Sequence, residues 1–534
     1  MFKAIKQEIK LVSRKKIAKM SAKNKKFDDY RERIGKRSGV VTNSLTMPSR
    51  SNDHFDPFFC AKNANVIAKV IWRRIDSGTY TPEPAKKFDI PKKGGGFRGL
   101  TSFSIPDNAV AQLVYRSIVR RNIRVFSANS YAYMPDRDMF DAIRSLGGIH
   151  PKEKIFSVQV DFKQFFDRIP HEFLNGLIEG VGDRKPALRI TQIEKGIIRA
   201  FLTHESVKKI QRKSGVGLAI VKEKRDIGTP QGSSVSLVLA NLALHDLDKK
   251  LEMLSGKFAR YADDVVVLTS TYEQALSVEQ AFYNYAYENK LEVHKTKSPG
   301  ISAFADNDQE IRTVGKIDFL GYRFTRSGTT ISTDVEERIK GKIRKLVHLY
   351  LINYIRDGKF NAKRVGILPP KFDWDLLGLI SEIRRAVYGG NSEKNISECL
   401  YREVRIRRMH GIMAHYGLIE DMEPFKRLDG WMVNEIRRAM CKRDLLIRKC
   451  LSQKNQCGLR PSNAELLSGS WLDMDSWIKK EDADGEVILP EVRMPSFVRA
   501  CKASKIHIKN FGLDKRDQTL NGSSNDLSDL FEYY

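Results

Sequence analysis

The chain lacks most of what a secreted, membrane-spanning or zinc-binding protein would require. Its six cysteines are scattered without the CxxC spacing of a zinc site, so they indicate reduced thiols and no recognisable disulfide framework. It has no apolar run long enough to span a bilayer, and its N-terminus shows no secretory signal. We therefore expect a cytoplasmic protein with no membrane partner.

Acidic side chains are also scarce relative to basic ones. The 534 residues include 93 Lys and Arg against 65 Asp and Glu, which leaves a net charge of +28. Such an excess predicts a polyanionic partner, and RNA or DNA is the preferred one. Residues 1–40 carry a weak helical stripe at Ile5, Ile9, Val12 and Ile17. They are interpreted as a basic helical arm that contacts a phosphate backbone, with a solvated tail as the open alternative.

Hydrophobic patterning changes along the chain. Between about residues 60 and 330, short apolar runs alternate with helical stretches, as in a mixed α/β region. Within it, 86–98 is predicted to form two strands joined by a glycine-rich turn, and 233–251 to form one helix. Beyond residue 330 the strand signals fade, and helical periodicity with many arginines takes over.

Three carboxylates stand at the ends of apolar stretches that are typical of buried strands. Asp161 follows the run 155–160, and Asp263 and Asp264 come directly after 258–262. An unpaired buried carboxylate is costly, so acids at such positions point to a cation. Mg²⁺ prefers oxygen ligands, and nucleotide addition uses two such cations about 3.5–4 Å apart. If the two strands lie side by side, the trio predicts phosphoryl transfer on nucleic acid.

Further motifs accompany these acids in a fixed order. They are Arg98-Gly99-Leu100, Ile105-Pro106-Asp107, Ser130-Tyr131-Ala132-Tyr133-Met134-Pro135, Asp161-Phe162-Lys163-Gln164-Phe165-Phe166-Asp167, Thr229-Pro230-Gln231-Gly232-Ser233, Tyr261-Ala262-Asp263-Asp264, Leu291-Glu292-Val293-His294-Lys295-Thr296 and Phe319-Leu320-Gly321-Tyr322. In this order the chain resembles reverse transcriptases. The resemblance implies an α+β, right-hand polymerase of fingers, palm and thumb with a helical C-terminal extension.

The expected domain organisation follows from this resemblance and from the change in composition. Residues 1–59 would form the basic N-terminal arm, and 60–330 the fingers and palm. Residues 331–510 would form a helical thumb and C-terminal RNA-binding domain. Residues 511–534 would form a flexible acidic tail.

The resemblance also implies a set of metal ligands. Asp161 and Asp263 would be the chief ligands and Asp264 would complete the site, with Phe162 included beside Asp161. The ions would be two Mg²⁺, or Mn²⁺ in their place. Lys295 would protonate the leaving pyrophosphate, although a surface lysine is an equally good interpretation.

A second set of residues would bind the incoming deoxynucleoside triphosphate. Lys92 and Arg98 would clamp its phosphates, a role suited to guanidinium groups. Gln231 would lie along the nucleotide. Phe165 is the candidate aromatic that excludes a ribose 2′-hydroxyl, and the adjacent Phe166 is the alternative.

Several kinds of reverse transcriptase fit this pattern. Residues 410–438 look like the thumb-side region of group II intron proteins, but no Cys-rich or His-rich endonuclease tail follows. The long helical, arginine-rich C-terminal half resembles the defence-associated bacterial enzymes of the unknown-group and abortive-infection kind. These would copy a dedicated non-coding RNA, as template or scaffold, into DNA during antiphage defence. A group II intron-type reverse transcriptase or maturase, an RNA-binding scaffold with a vestigial site, and a homo-oligomer remain open alternatives.

Overall fold

A computed structural model describes most of the chain. The described residues are 1–38, 52–91, 97–147, 154–180, 188–211, 218–224, 226–254, 256–294, 298–304, 313–356, 362, 365, 367, 373–406, 411–452, 454–455, 458–472, 480–481, 487–488 and 491–512. The chain divides into two compact units. Unit 1 comprises Met1–Ser21 and Met47–Leu320, and unit 2 comprises Ala22–Thr46 and Gly321–Tyr534.

Unit 1 mixes helices and strands. Its helices are α1 (Phe2–Ser38, which continues into unit 2), α2 (Pro57–Lys62), α3 (Ala64–Asp76), α4 (Ile105–Asn122), α5 (Met139–Leu146), α6 (Phe165–Arg168), α7 (His171–Glu179), α8 (Gln192–Leu202), α9 (Ser234–Ala243), α10 (His245–Leu254) and α11 (Tyr272–Glu288). Its strands are β1 (Ala85–Pro91), β2 (Phe97–Ser102), β3 (Ile155–Gln159), β4 (Glu205–Gln211), β5 (Leu218–Lys224), β6 (Lys257–Tyr261), β7 (Asp264–Thr269), β8 (Gly300–Phe304), β9 (Thr313–Val314) and β10 (Ile317–Phe319).

The central sheet of unit 1 runs in the order β6-β7-β3-β8-β9. Strand β3 pairs antiparallel with β7 on one side and with β8 on the other. Val158 of β3 and Val266 and Val267 of β7 are wholly buried, which explains why these strands read as continuous apolar runs. Helix α11 packs against β3, β7 and β8 through Phe282 and its neighbours.

A second sheet of unit 1 runs in the order β2-β1-β4-β5. Strands β1 and β2 form the antiparallel hairpin that the sequence predicts for 86–98, with Ile90 opposite Arg98. The glycine-rich turn between them, including Lys92, lies outside the described residues. Helix α4 follows with Pro106 in its first turn, and Ser104 caps it by accepting a hydrogen bond from Asp107 N–H.

One helix prediction is wrong. Residues 233–251 form two helices, α9 and α10, with a break at Leu244, whose φ of −111° and ψ of 5° leave the helical region. The local sequence has no breaker there. The Tyr285 hydroxyl donates to the carbonyl of Ala243, so a tertiary contact occupies an acceptor that a continuous helix would use.

The N-terminal arm forms helix α1, as its periodicity predicts. Ile5 and Ile9 are wholly buried, and Val12 nearly so, as members of the unit 1 core. Lys3, Lys10, Arg14 and Lys15 on the same helix are exposed. The first turns of the arm therefore anchor a basic face to unit 1.

Unit 2 is largely helical. Its helices are α12 (Thr333–Val347), continuing through a π-helical turn (His348–Ile352) into α13 (Asn353–Arg356), then α14 (Trp374–Tyr388), α15 (Glu393–Arg402), α16 (Gly411–His415), α17 (Glu423–Leu451), α18 (Asn463–Ser468) and α19 (Phe497–Phe511). Its strands form two hairpins, β11 (Tyr322–Thr325) with β12 (Gly328–Ile331), and β13 (Lys480–Glu481) with β14 (Val487–Ile488). Helix α17 packs along α12 and α19.

Cys60, Cys399, Cys441, Cys450 and Cys501 are free thiols. Within the described part of the chain, no helix is both long and apolar enough to cross a bilayer.

Candidate active site

The three predicted aspartates come together at one end of the central sheet. Gln159 of β3 lies opposite Val266 of β7, so two residues further along the antiparallel register Asp161 comes beside Asp264. Residues directly opposite on antiparallel strands have Cα atoms only about 4.5–5.5 Å apart. The pairing of β3 with β7, which the sequence left conditional, is therefore present.

Asp263 stands at the tip of the adjacent hairpin. Tyr261 and Asp264 form the last pair of β6 and β7, so Ala262 and Asp263 make up a two-residue loop. Ala262 has a φ of +63°, in the left-handed region, which costs a residue with a Cβ about 1–2 kcal/mol. Surrounding contacts must therefore hold this loop in place.

The main chain at Asp161 is fixed by the segment that follows α11. Asp161 N–H donates to Ser298 Oγ at 3.0 Å, and His294 N–H donates to the Asp161 carbonyl at 2.8 Å. Phe162 and Val293 form an isolated antiparallel β-bridge. Val293 and His294 of the predicted motif 291–296 thus lie alongside the first aspartate, whereas Lys295 and Thr296 lie outside the described residues.

The electrostatics of the site show mutual repulsion between the carboxylates. Burial raises the pKa of Asp264 to about 7, and the charges of Asp263 and Asp161 add to that rise. The side chain of Asp264 is nevertheless exposed to solvent. Burial also raises the pKa of Asp263; Asp161 raises it further, whereas the charges of Arg98 and Arg260 lower it. Cations therefore favour the ionised form of this cluster.

The donor set suits a hard divalent cation. Three carboxylates that repel one another would be stabilised by Mg²⁺, which prefers oxygen ligands. Among the described residues, no group of three or more His, Cys, Asp or Glu side chains is already arranged as a metal centre. The Phe162 ring is buried against Phe165, so the predicted contribution of Phe162 to a metal site is limited to its main chain.

The predicted nucleotide-binding residues lie in different environments. Arg98 is exposed on β2, and its charge acts on Asp263, so it faces the acidic cluster. Gln231 donates from Nε2 to Asp167 Oδ2 at 2.9 Å. Lys92 lies outside the described residues.

The two candidate gate aromatics differ in exposure. Phe165 is 2 % exposed and belongs to the hydrophobic core, where its ring contacts Phe162 and Phe166. Phe166 is only partly buried at the edge of that core. Of the two side chains, Phe166 is the less buried, and the choice between them as the gate aromatic stays a prediction.

Sequence reasoning assigned no role to Tyr133, Arg260 or Ser298. Tyr133 has a φ of +63°, and burial, followed by the nearby charge of Asp263, raises the pKa of its hydroxyl to about 12. The sequence could have indicated a role for Arg260, because a cation within the largely apolar run 258–262 needs a buried partner. No local sequence pattern could have indicated Ser298, because its contact with Asp161 joins residues 137 positions apart.

Acids from two neighbouring strand ends, on a sheet packed against helix α11, are the arrangement that the resemblance to reverse transcriptases implies for a polymerase palm. Residues 90–324 match the family model of the reverse transcriptase (RNA-dependent DNA polymerase), and the chain therefore contains a reverse transcriptase domain.

Curated relatives are similar to 36 % of the chain. It is 31 % identical over 196 residues to an uncharacterised 91 kDa protein in the cob intron of Schizosaccharomyces pombe, covering 36 % of this chain and 22 % of that protein. It is 29 % identical over 197 residues to the group II intron-encoded protein LtrA of Lactococcus lactis, covering 36 % and 29 %. It is 26 % identical over 200 residues to the retron Ec73 reverse transcriptase of Escherichia coli, covering 36 % and 55 %. The chain thus spans less than a third of the length of the first two relatives.

Proposed function

We propose that the protein is an RNA-directed DNA polymerase that makes DNA by two-metal nucleotidyl transfer. The observation that carries the proposal is the register of β3 on β7, which brings Asp161 beside the hairpin tip with Asp263 and Asp264. A reverse transcriptase domain over residues 90–324 supports the choice of reaction.

In this proposal Asp161, Asp263 and Asp264 hold two Mg²⁺ ions, or Mn²⁺ in their place. The ions supply Lewis acidity toward the α-phosphate and the attacking hydroxyl. Arg98, on the strand that faces the cluster, neutralises triphosphate charge. Phe166 contacts the sugar, and Gln231 leaves Asp167 to lie along the nucleotide. Lys92 and Lys295 keep their proposed roles at the phosphates and the pyrophosphate.

The nucleic acid would contact basic surface on both units. Lys3, Lys10, Arg14 and Lys15 are exposed on α1, and Arg402, Arg405, Arg437 and Arg438 are exposed in unit 2. Charges of this kind release counterions from a phosphate backbone, so binding would weaken steeply with added salt. Unit 2 would then act as a thumb and RNA-binding domain.

The finer part of the proposal is that the template or scaffold is a dedicated non-coding RNA and that DNA synthesis serves antiphage defence. It is supported by the long helical, arginine-rich second half that follows the reverse transcriptase domain. Sequencing the nucleic acids that co-purify with the protein would test it. One recurrent RNA joined to or paired with complementary DNA is the expected result; a random mixture of cellular RNA would contradict it.

A group II intron-type role is the second candidate, favoured by the 29 % identity to LtrA over 197 residues. Splicing of a neighbouring structured intron by the purified protein would establish it. An RNA-binding scaffold with a vestigial polymerase site is the third candidate. It would require that an inactive variant keep the full biological effect.

The polymerase itself is tested by replacing Asp263 and Asp264 with Asn, which removes two charges while it keeps the side-chain shape. Incorporation of labelled deoxynucleotide on an RNA template should fall to background. The matched control is Glu336→Gln with Glu337→Gln, an adjacent acidic pair on α12 that bonds Lys340. It carries the same change in charge and should leave incorporation intact. DNA synthesis by the Asp263/Asp264 variant at the wild-type rate would refute the proposal.

A further inference from the structure

Arg260 is a wholly buried cation two residues before the loop that carries Asp263. Its guanidinium uses all five of its N–H donors. Nε and Nη2 donate to the two carboxylate oxygens of Asp248 at 2.6 and 2.5 Å, and Nη2 also donates to Ser130 Oγ at 2.6 Å. Nη1 donates to Asn241 Oδ1 at 3.1 Å and to the carbonyl oxygen of Ala262 at 2.9 Å.

The contact with Ala262 connects this buried network to the candidate active site. The carbonyl of Ala262 belongs to the peptide bond that leads into Asp263, and Ala262 is the loop residue with positive φ. A hydrogen bond to that oxygen fixes the plane of the peptide and therefore the direction in which the next residue leaves the loop. Asp248 and Asn241 in turn fix the guanidinium, from α10 and α9.

The main chain around Arg260 joins a third segment to the same network. Arg260 N–H donates to the Asn129 carbonyl, and Tyr131 N–H donates to the Arg260 carbonyl, both at 2.9 Å. Asn241 Nδ2 donates to the Ala132 carbonyl at 2.9 Å. The segment 129–132, directly before Tyr133, is thus held against β6.

The hydrogen-bond network around Arg260 is expected to do more than stabilise the fold. A buried ion pair is often no more stabilising than an apolar pair of similar volume, so stability alone does not explain it. A fork of fixed donors, however, holds several acceptors in a fixed relative geometry, which an apolar side chain cannot do. Here one of those acceptors lies in the hairpin loop.

We propose that Arg260 is a positioning residue: it holds the Ala262–Asp263 peptide and thereby places the carboxylates of Asp263 and Asp264 for cation binding. The consequences for catalysis rest on the proposed polymerase function. The consequences for the order of the hairpin and for cation affinity do not.

Arg260→Lys is the first test variant, because lysine keeps the charge beside Asp248 but lacks the fork that also reaches Ala262. Loss of a group that orients metal ligands typically costs about 10–100-fold in metal affinity or activity. We expect the affinity for Mn²⁺, measured by calorimetry, to fall at least about tenfold. Amide hydrogen exchange in residues 261–265 should accelerate, kcat should fall by a similar factor, and binding of an RNA–DNA duplex should not change.

Arg443→Lys is the matched control. Arg443 is also buried and pairs with Asp373 and Asp375, but it lies in unit 2. Its replacement should lower thermal stability without a change in Mn²⁺ affinity or in exchange at 261–265. If both variants change these two quantities equally, Arg260 has a structural role alone and the proposal fails.

Arg260→Gln with Asp248→Asn covers the case in which Arg260→Lys does not fold. It removes both charges together, so no unpaired ion remains in the interior. Faster exchange at 261–265 and weaker Mn²⁺ binding in this folded variant would support the proposal, and wild-type values would overturn it. If the wild-type protein makes no DNA, the polymerase proposal fails, while the exchange and calorimetry still decide the role of Arg260.

Discussion

Gly228 and Asp167 lie in direct backbone contact: a Cβ on Gly228 would stand 2.3 Å from the carbonyl oxygen of Asp167. At the other end of the same loop, a Cβ on Gly232 would stand 2.2 Å from the carbonyl oxygen of Thr101. Both glycines have positive φ, +75° and +119°. The loop 228–232 therefore packs closely against β2 at one end and α6 at the other. This packing fixes Gln231 at hydrogen-bonding distance from Asp167.

The first prediction concerns this loop. Gly232→Ala should lower the free energy of unfolding of the protein by at least about 2 kcal/mol, because the new Cβ is both strained and obstructed. Gly196→Ala is the control, since Gly196 lies inside helix α8 with open space around it. Alanine there should raise the unfolding free energy by about 0.5–1 kcal/mol. Chemical denaturation measures both, and a Gly232→Ala protein as stable as wild type would contradict the assigned contact.

The second prediction separates the two neighbouring phenylalanines. Phe166→Ala should increase the use of ribonucleotides relative to deoxynucleotides by about tenfold or more, because a gap beneath the sugar admits the 2′-hydroxyl. Phe165→Leu should leave that ratio unchanged and lower stability by less than about 1.5 kcal/mol, since Phe165 lies in the core. The ratio of kcat/KM for the two nucleotides is the measurement. A change in selectivity in Phe165→Leu alone would reverse the assignment.

The aspartate site could be anticipated because its signals are local. Apolar runs that end in acids predict strand ends, and Tyr261 to Asp264 fit the short loop of a hairpin. The position of Asp161 beside Asp264 depends on strand register, which the sequence alone left conditional. The structure pairs β3 with β7 in one sheet, and this register brings Asp161 beside Asp264.

Other features depended on contacts that no local pattern encodes. The break at Leu244 follows from the distant Tyr285 hydroxyl, and the choice between Phe165 and Phe166 depends on which ring the core covers.

The third prediction concerns the N-terminal arm. Ile9→Ala should lower the unfolding free energy by about 2–5 kcal/mol, because its side chain is wholly buried in the unit 1 core. Leu11→Ala on the same helix is the control: Leu11 is 39 % exposed, and its loss should cost less than about 1 kcal/mol. Equal effects of the two variants would show that the arm is a free tail.

The fourth prediction is a pH dependence of stability set by Asp107, which is 3 % exposed at the start of α4. Burial raises its pKa to about 6, although hydrogen bonds from Ser104, Tyr80 and the Glu83 N–H oppose the rise. The folded state therefore binds this proton more tightly than the unfolded state does. The contribution is fully present below about pH 4 and is lost as the pH rises through about 6.

Thermal melts of wild type and Asp107→Asn between pH 4 and 7 measure this contribution, because asparagine cannot titrate. The difference in stability between the two proteins should change by up to about 3 kcal/mol across that range, in favour of wild type at the acidic end. Tyr80→Phe removes a hydrogen bond to the carboxylate, so it should raise the pKa and move the transition to higher pH. Parallel pH profiles for wild type and Asp107→Asn would mean that Asp107 is ionised throughout, and that its three hydrogen bonds outweigh its burial.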